Sequence, residues 1–487
     1  MQFLRRSSSR LIDFWPRLAP ALKTWGAVVV AIIAAVYYSL YYRSGLNFSG
    51  EGGTVAIVAL RLLDGYRPIV DTFLGYNVMW FYPVAWLFHL TGPDYTALRI
   101  FFFVLCTITG VLAFFIVRRV TDSGWFAVLA ALGPVLIPGM MFRNYMAFIV
   151  MLNMLALLQA YVFEQPTKGR QLLWMVAAGG ILGLTYLLRI DLGTFFTAIT
   201  VGLIALYPFG TSGAFRQRFA LAIVAVLSTA VMFCTTHAPF YLDAVKRGYA
   251  EPFVAQYTGW LRMLNYLASQ QVTKSAPPPP ASPQPADPSA PAPTKPAPAS
   301  EPVAAPAAKP RNRDVDTDGY LQKRALSEVV SARTFSDRTL ALATYLPMPV
   351  ALLIVIPSLI LLVAAALRKN SALRTEALAL LITSGSALTL FPQYFFFRPD
   401  TPHLSEFMAP FLVAMACAVW LSYRWRRANR FAAAYCWVIT VACLGTTAVY
   451  FLHAFPKESS GSIAARKMRK HEFVAENGVH VWLKQKE

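Results

Sequence analysis

The feature that most constrains this chain is a series of apolar blocks, each about 20 residues long, separated by short polar and often basic breaks. A helix of that length spans the hydrocarbon core of a bilayer. Hydrophobic residues make up 56% of the chain and charged residues only 14%, so a soluble fold would have no core able to accept these blocks. The pattern predicts an all-α polytopic membrane protein.

The basic breaks predict the orientation, because Lys and Arg concentrate in cytoplasmic loops. Placing the breaks at Arg118-Arg119, Lys168 to Arg170, Arg216 to Arg218, Arg368 to Arg374 and Arg424 to Arg427 inside gives eleven crossings without conflict. The amino end is then cytoplasmic and the carboxyl tail outside. The predicted spans are 25–42, 95–117, 124–142, 146–163, 172–189, 192–208, 219–237, 341–366, 374–391, 405–422 and 431–452.

These spans divide the chain into four predicted parts. Residues 1–237 form an N-terminal transmembrane catalytic module with an outer loop at 43–94, and residues 238–340 form a second outer loop. Within that second loop, the Pro- and Ala-rich segment 276–310 is too poor in apolar side chains to fold and is expected to be disordered. The C-terminal transmembrane helices cover 341–452, and an outer tail covers 453–487.

The first outer loop holds the leading catalytic candidate, Glu51, in the sequence Ser49-Gly-Glu-Gly-Gly53 directly after the first span. A carboxylate at the end of a membrane span is unfavourable in lipid, so it is expected to be hydrated or to serve a function. An amphipathic stretch from Ala59 to Tyr66 follows it. The stretch from Tyr76 to Leu90 is too short for a span, and its aromatic residues are typical of a second helix lying in the membrane interface.

Two further clusters of polar residues belong to the predicted outer face. Arg189 and Asp191 interrupt a long apolar stretch, either as an ion pair at a turn or as an arginine that binds an anionic headgroup while Asp191 orients it. Arg398 and His403 begin the tenth span, either as an ordinary polar turn or as a phosphate clamp. Arg143 lies at the same level and supports a weaker form of the same argument.

Several function classes have no support in the sequence. The basic residues fall at the ends of apolar blocks and do not form one basic face, so nucleic acid is not a predicted partner. The five cysteines form no CxxC pair or Cys/His cluster, so neither a metal site nor a disulfide framework is predicted. Nucleotide-binding, serine-hydrolase and zinc-protease motifs are absent, and no cofactor is expected.

The order of motifs resembles the integral-membrane glycosyltransferases of the GT-C fold, in the group that includes dolichyl-phosphate-mannose-type and aminoarabinose transferases. The resemblance rests on the acid in Ser-Gly-Glu51-Gly, the helix ending Arg61-Leu-Leu-Asp-Gly65, Pro68-x-x-Asp71, the aromatic interfacial helix, the second span from Gly92 to Arg119, and Gly180 to Arg189. Where many members of the family have a second acid, between the third and fourth spans, this chain has Arg143-Asn144. That departure weakens any metal-dependent or two-acid mechanism.

The resemblance implies transfer of a sugar from a polyprenyl-phosphate donor to an acceptor on the outer face, in a bacterial inner membrane. Glu51 would be the general base, and Arg189, Arg398 or His403 would stabilise the leaving lipid phosphate. Expected partners are that donor, membrane lipids and a glycan, lipid or protein acceptor. The alternatives are a flippase or transporter of polyprenyl-linked sugars, against which the absence of an inverted repeat counts, and a polymerase or ligase of lipid-linked glycans.

Overall fold

The computed structural model describes residues 2–39, 54–72, 76–137, 145–210, 215–257, 335–397, 401–467, 470–474 and 480–484. These ranges contain 14 α-helices and one antiparallel pair of strands. The helices are α1 (Gln2–Ser39), α2 (Ile57–Leu63), α3 (Tyr82–Thr91), α4 (Tyr95–Thr121), α5 (Gly124–Leu136), α6 (Tyr145–Leu157), α7 (Lys168–Leu188), α8 (Ile190–Gly210), α9 (Phe215–Lys246), α10 (Phe335–Tyr345), α11 (Pro347–Leu367), α12 (Ser371–Leu388), α13 (Thr401–Trp425) and α14 (Arg430–Lys467).

Shorter elements complete the described chain. A 3-10 turn (Val78–Trp80) precedes α3, and π-helical turns follow α6 (Leu158–Val162) and α12 (Gln393–Phe397). A helical stretch over 250–257 follows α9. Strands β1 (Lys470–Val474) and β2 (His480–Lys484) pair near the carboxyl end, with Lys470 opposite Lys484.

The chain is a polytopic helical membrane protein. In the described ranges, nine helical segments are long and apolar enough to cross a membrane, and each coincides with a predicted span. The other two predicted spans, 124–142 and 192–208, correspond to α5 and α8. Helix α5 has 13 residues and so reaches about 20 Å, which is short of the roughly 30 Å hydrocarbon core. Eleven helical segments therefore stand where eleven crossings were predicted, two of them with shorter apolar lengths.

Helices α1 and α4 run in opposite directions, and the contacts between them identify the two ends of the bundle. Near the start of the apolar part of α1 (Pro20–Ser39), Lys23 forms an ion pair with Asp122 at 2.6 Å, and near its end Tyr38 stacks on Phe103 with ring centroids 5.2 Å apart. Helix α1 is therefore antiparallel to α4. We call the end that carries Lys23, Arg119, Arg170 and Arg424 the basic end, and the opposite end, where α7 finishes, the Arg189 end.

Glycines set the close contact between α7 and α9. A Cβ added to Gly179 would lie 2.7 Å from the Cα of Thr229, and one added to Gly183 would collide with Thr236. Two small residues four positions apart share one helix face, and such pairs let membrane helices approach closely. This contact fixes α7 against α9 and so determines where α7 presents its final residue.

Candidate functional site

Arg189 is the single residue that joins α7 to α8. Its backbone is extended, with φ −160° and ψ 116°, while both neighbouring residues are helical. Its N–H donates to Thr185 O at 2.7 Å, and its carbonyl accepts from the N–H of Gly193 at 3.1 Å. Both helices therefore keep their hydrogen bonding across the joint, and the arginine side chain leaves the chain at the end of the bundle.

The guanidinium of Arg189 contacts three separate parts of the chain. Nε donates to Asp191 Oδ1 at 2.6 Å and Nη2 donates to Asp191 Oδ2 at 2.7 Å, which makes a two-point ion pair. Nη1 donates to Gln393 Oε1 at 2.5 Å and lies 3.2 Å from Met146 Sδ. The beginning of α8, the π-turn after α12 and the beginning of α6 therefore meet at one cation.

The sequence allowed two interpretations of Arg189 and Asp191: an ion pair at a turn, or an anion-binding arginine that Asp191 orients. The observed ion pair is compatible with both. Arg189 keeps 18% of its side chain exposed and Asp191 keeps 38%, so the pair lies at the boundary between the bundle and its surroundings. The carboxylate holds the plane of the guanidinium, and Gln393 holds its other edge. An arginine fixed in this way is preoriented, which lowers the entropic cost of binding an anion.

Helix α13 adds two buried polar side chains at the same end. His403 is 5% exposed and Glu406 is 3% exposed, and the charge of Glu406 acts on Arg189. The charges that act on Arg189 among the described residues include those of the carboxylates Asp191 and Glu406. A phosphate therefore requires further positive charge from another part of the chain.

Three predicted site residues lie outside the described ranges: Glu51, Arg143 and Arg398. Their sequence neighbours belong to the Arg189 end. Tyr145, which begins α6, follows Arg143 by two residues, and Arg398 comes directly after the π-turn that begins at Gln393. Chain connectivity thus makes both arginines candidates for the additional cations.

Asp71, which the sequence also predicts to bind the substrate or the lipid phosphate, pairs with Arg67. It accepts hydrogen bonds from the Arg67 side chain at 2.9 and 3.0 Å and from the Arg67 backbone N–H at 2.9 Å. These bonds lower the pKa of the Asp71 carboxyl to about 2. Because so weak a base takes up a proton poorly at neutral pH, Asp71 is suited to shaping the loop and not to general-base chemistry.

Two contacts attach the first loop to the bundle. Asn77 donates from its backbone N–H to Leu188 O at 3.3 Å and from Nδ2 to Tyr186 O at 2.9 Å. The last carbonyls of a helix have no partners within that helix, so Asn77 supplies donors to the end of α7. The side chain of Arg247, just beyond α9, donates to Gly65 O at 2.6 Å. The loop is thereby held next to Arg189.

The aromatic residues of this loop divide between buried and partly exposed positions. Trp80 is 1% exposed and Phe81 is not exposed, so both rings pack against other parts of the protein. Tyr76 is partly exposed and stacks on Trp80, with ring centroids 4.0 Å apart. Aromatic rings suit both a membrane interface and a protein interior, so composition could not distinguish the two positions.

Sequence reasoning missed the contribution of Gln393, Met146 and Asn77. Gln393 follows the apolar run of α12. A neutral amide at the end of a span is a weak indication of a functional site, and it is the signal by which Gln393 could have been found. Within the described ranges, no group of three or more His, Cys, Asp or Glu side chains could hold a metal ion.

Comparison with known proteins finds similarity among solved structures only. No family model matches the chain, and no curated protein matches it. Among solved structures, ArnT from Cupriavidus metallidurans bound to undecaprenyl phosphate is similar over 91% of this chain and 77% of that chain. The sequence identity is 13% and the TM-score is 0.44. At these values, a functional conclusion has to rest on the residues of this chain.

Proposed function

We propose that this chain is a membrane glycosyltransferase of the GT-C type, which moves a sugar from a polyprenyl-phosphate donor to an acceptor on the outer face. The observation that carries the proposal is the preoriented Arg189, held by Asp191 and Gln393 where several helices end beneath the first loop. A polyprenyl chain lies among lipids while its phosphate stays at the membrane boundary. A fixed guanidinium at that depth suits such a phosphate.

The proposed reaction assigns a role to each site residue. Glu51 takes the proton from an acceptor hydroxyl, whose oxygen attacks the anomeric carbon of the donor sugar. The bond between that carbon and the phosphate oxygen breaks, and polyprenyl phosphate leaves with the bonding electrons. Arg189 stabilises this anion together with Arg143, Arg398 and His403. The acceptor is a glycan, a lipid or a protein.

Asp191 and Asp71 act indirectly in this scheme. Asp191 positions Arg189 through the two-point ion pair, and Asp71 with Arg67 shapes the loop that follows Glu51. The orientation with the Arg189 end outside, and the assignment to a bacterial inner membrane, belong to the same proposal. They are supported by the collection of basic residues at the opposite end.

The direct test is an Arg189→Lys variant in purified protein. Lysine keeps the charge but loses the planar group that Asp191 and Gln393 hold in place, so we expect affinity for undecaprenyl phosphate to fall about tenfold, the value of one charge-assisted hydrogen bond. Binding is measured by native mass spectrometry in detergent. Transfer of labelled sugar from the lipid-linked pool is measured in membranes and should fall with it.

The matched control is Arg424→Lys. Arg424 pairs with Glu376 at 2.9 Å at the basic end, so this variant makes the same Arg-to-Lys exchange in an ion pair far from the proposed site. We expect its affinity and transfer to equal those of the parent protein. Equal losses in both variants, or no loss at Arg189, would show that Arg189 does not bind the phosphate.

A further inference from the structure

Two buried polar atoms close to Arg189 have no hydrogen-bond partner among the described residues: the indole N–H of Trp80 and the hydroxyl of Tyr145. Both side chains are almost completely buried, at 1% and 4% exposure. Their rings are neighbours, with centroids 5.3 Å apart and planes inclined by 53°. The two polar atoms thus belong to one cluster of aromatic side chains.

Buried polar atoms are nearly always hydrogen-bonded, so these two need a partner from outside the described residues. Tryptophan and tyrosine in particular find a partner for their N–H or O–H when they are buried. Since the two rings are adjacent, one group from outside the described residues can serve both atoms. A ligand that carries several hydroxyl groups could satisfy both.

The pair belongs to the Arg189 end. Tyr145 is followed by Met146, whose sulfur lies 3.2 Å from Arg189 Nη1. Trp80 lies three residues after Asn77, which donates to the carbonyl of Leu188, the residue before Arg189. Tyr76, stacked on Trp80, is partly exposed and is the member of this aromatic group that a ligand meets first.

We propose that Trp80 and Tyr145 form the subsite for the donor sugar, with Trp80 Nε1 and the Tyr145 hydroxyl bonding to sugar hydroxyls. This inference rests on the proposed function, in which Arg189 binds the phosphate. The sugar of a glycosyl phosphate is bonded directly to a phosphate oxygen, so the sugar must lie within a few ångströms of that cation. Aromatic faces also suit the C–H faces of a sugar ring, because the face of an aromatic ring carries partial negative charge.

The test uses Trp80→Phe and Tyr145→Phe, which remove the polar atoms and keep the rings. Neither atom has a partner among the described residues to lose, so we expect both variants to fold with at least parental stability. The probes are undecaprenyl phosphate and a set of undecaprenyl-phosphate sugars. We expect each variant to bind the preferred glycosylated lipid about fivefold more weakly, the value of one neutral hydrogen bond, and to bind undecaprenyl phosphate unchanged.

The matched control is Trp420→Phe. Trp420 Nε1 is also buried without a partner among the described residues, but it lies towards the basic end, against Trp125 and Phe126. Parental binding of both probes is expected for this variant. If the parent binds undecaprenyl phosphate and the two site variants bind the sugar-bearing lipids as well as the parent does, the subsite proposal is wrong and the proposed function stands. If the parent binds neither class of lipid, the proposed function fails as well.

Discussion

At the residue scale, the site depends on an arginine whose freedom is almost completely removed. Asp191 engages two of its nitrogens and Gln393 engages the third. The pair with Asp191 contributes little to stability, up to about 1 kcal/mol, because the carboxylate is more than a third exposed and water screens it. Its value is therefore geometric, since it sets the direction in which Arg189 presents its charge.

The residue-scale prediction concerns Glu51, which lies outside the described residues. Removal of a general base lowers a rate by about a hundredfold to ten-thousandfold, so Glu51→Gln should abolish most transfer of labelled sugar from the lipid-linked pool in membranes. Expression and binding of undecaprenyl phosphate should remain near parental values. Glu51→Asp should retain part of the activity. Near-parental transfer by the Gln variant would leave Glu51 a structural role only.

At the element scale, the position of α7 along its own axis determines where the site forms. Gly179 and Gly183 allow α9 to approach, and Asn77 attaches the first loop to the last carbonyls of α7. Helix α7 is thus held from the side by α9 and at its end by the loop. A shift of α7 would move Arg189 away from Gln393.

The element-scale prediction compares two glycine-to-alanine changes. In Gly179→Ala the new methyl group meets the backbone of α9 at 2.7 Å, so we expect a loss of about 1–3 kcal/mol and a lower Tm in detergent. The control is Gly202→Ala in α8, where a Cβ meets nothing within 4 Å. That variant should match or exceed parental stability, because alanine favours a helix over glycine. Equal Tm values for the two variants would contradict the proposed contact.

The sequence predicted the helical segments well, because each is a local property of about 20 residues. It also identified Arg189 and Asp191 as partners, since they are two positions apart at a break in an apolar run. It could not predict that Gln393, 204 residues away in the chain, would complete the contact. The contact between Arg189 and Gln393 depends on which helices are neighbours in the fold. The burial of Trp80 depends on the same arrangement.

At the scale of the whole molecule, charge separates the two ends of the bundle. The basic end carries Lys23, Arg119 and Arg424, and the Arg189 end carries the buried cluster with Asp191 and Glu406. Because basic ends stay in the cytoplasm, the cluster should face outwards. The long segment between α9 and α10 should lie on the same outer side.

The whole-molecule prediction is that Ser289→Cys, in the Pro-rich segment outside the described residues, reacts with a membrane-impermeant thiol reagent added to intact cells. The control is Asp122→Cys at the basic end, where the side chain is 81% exposed, and it should react only after permeabilisation. Both changes are made in a Cys234→Ser background, because Cys234 is exposed. The reverse pattern would place the Arg189 cluster in the cytoplasm.

The joint between α7 and α8 has a consequence for how this site could change over time. Each residue added to a helix turns the chain by about 100° and advances it by about 1.5 Å. With a single residue in the connection, one inserted amino acid would aim Arg189 towards a different neighbour, even if every side chain of the cluster were kept. Substitutions can therefore adjust this site gradually, whereas a change in the length of the connection would abolish it in one step.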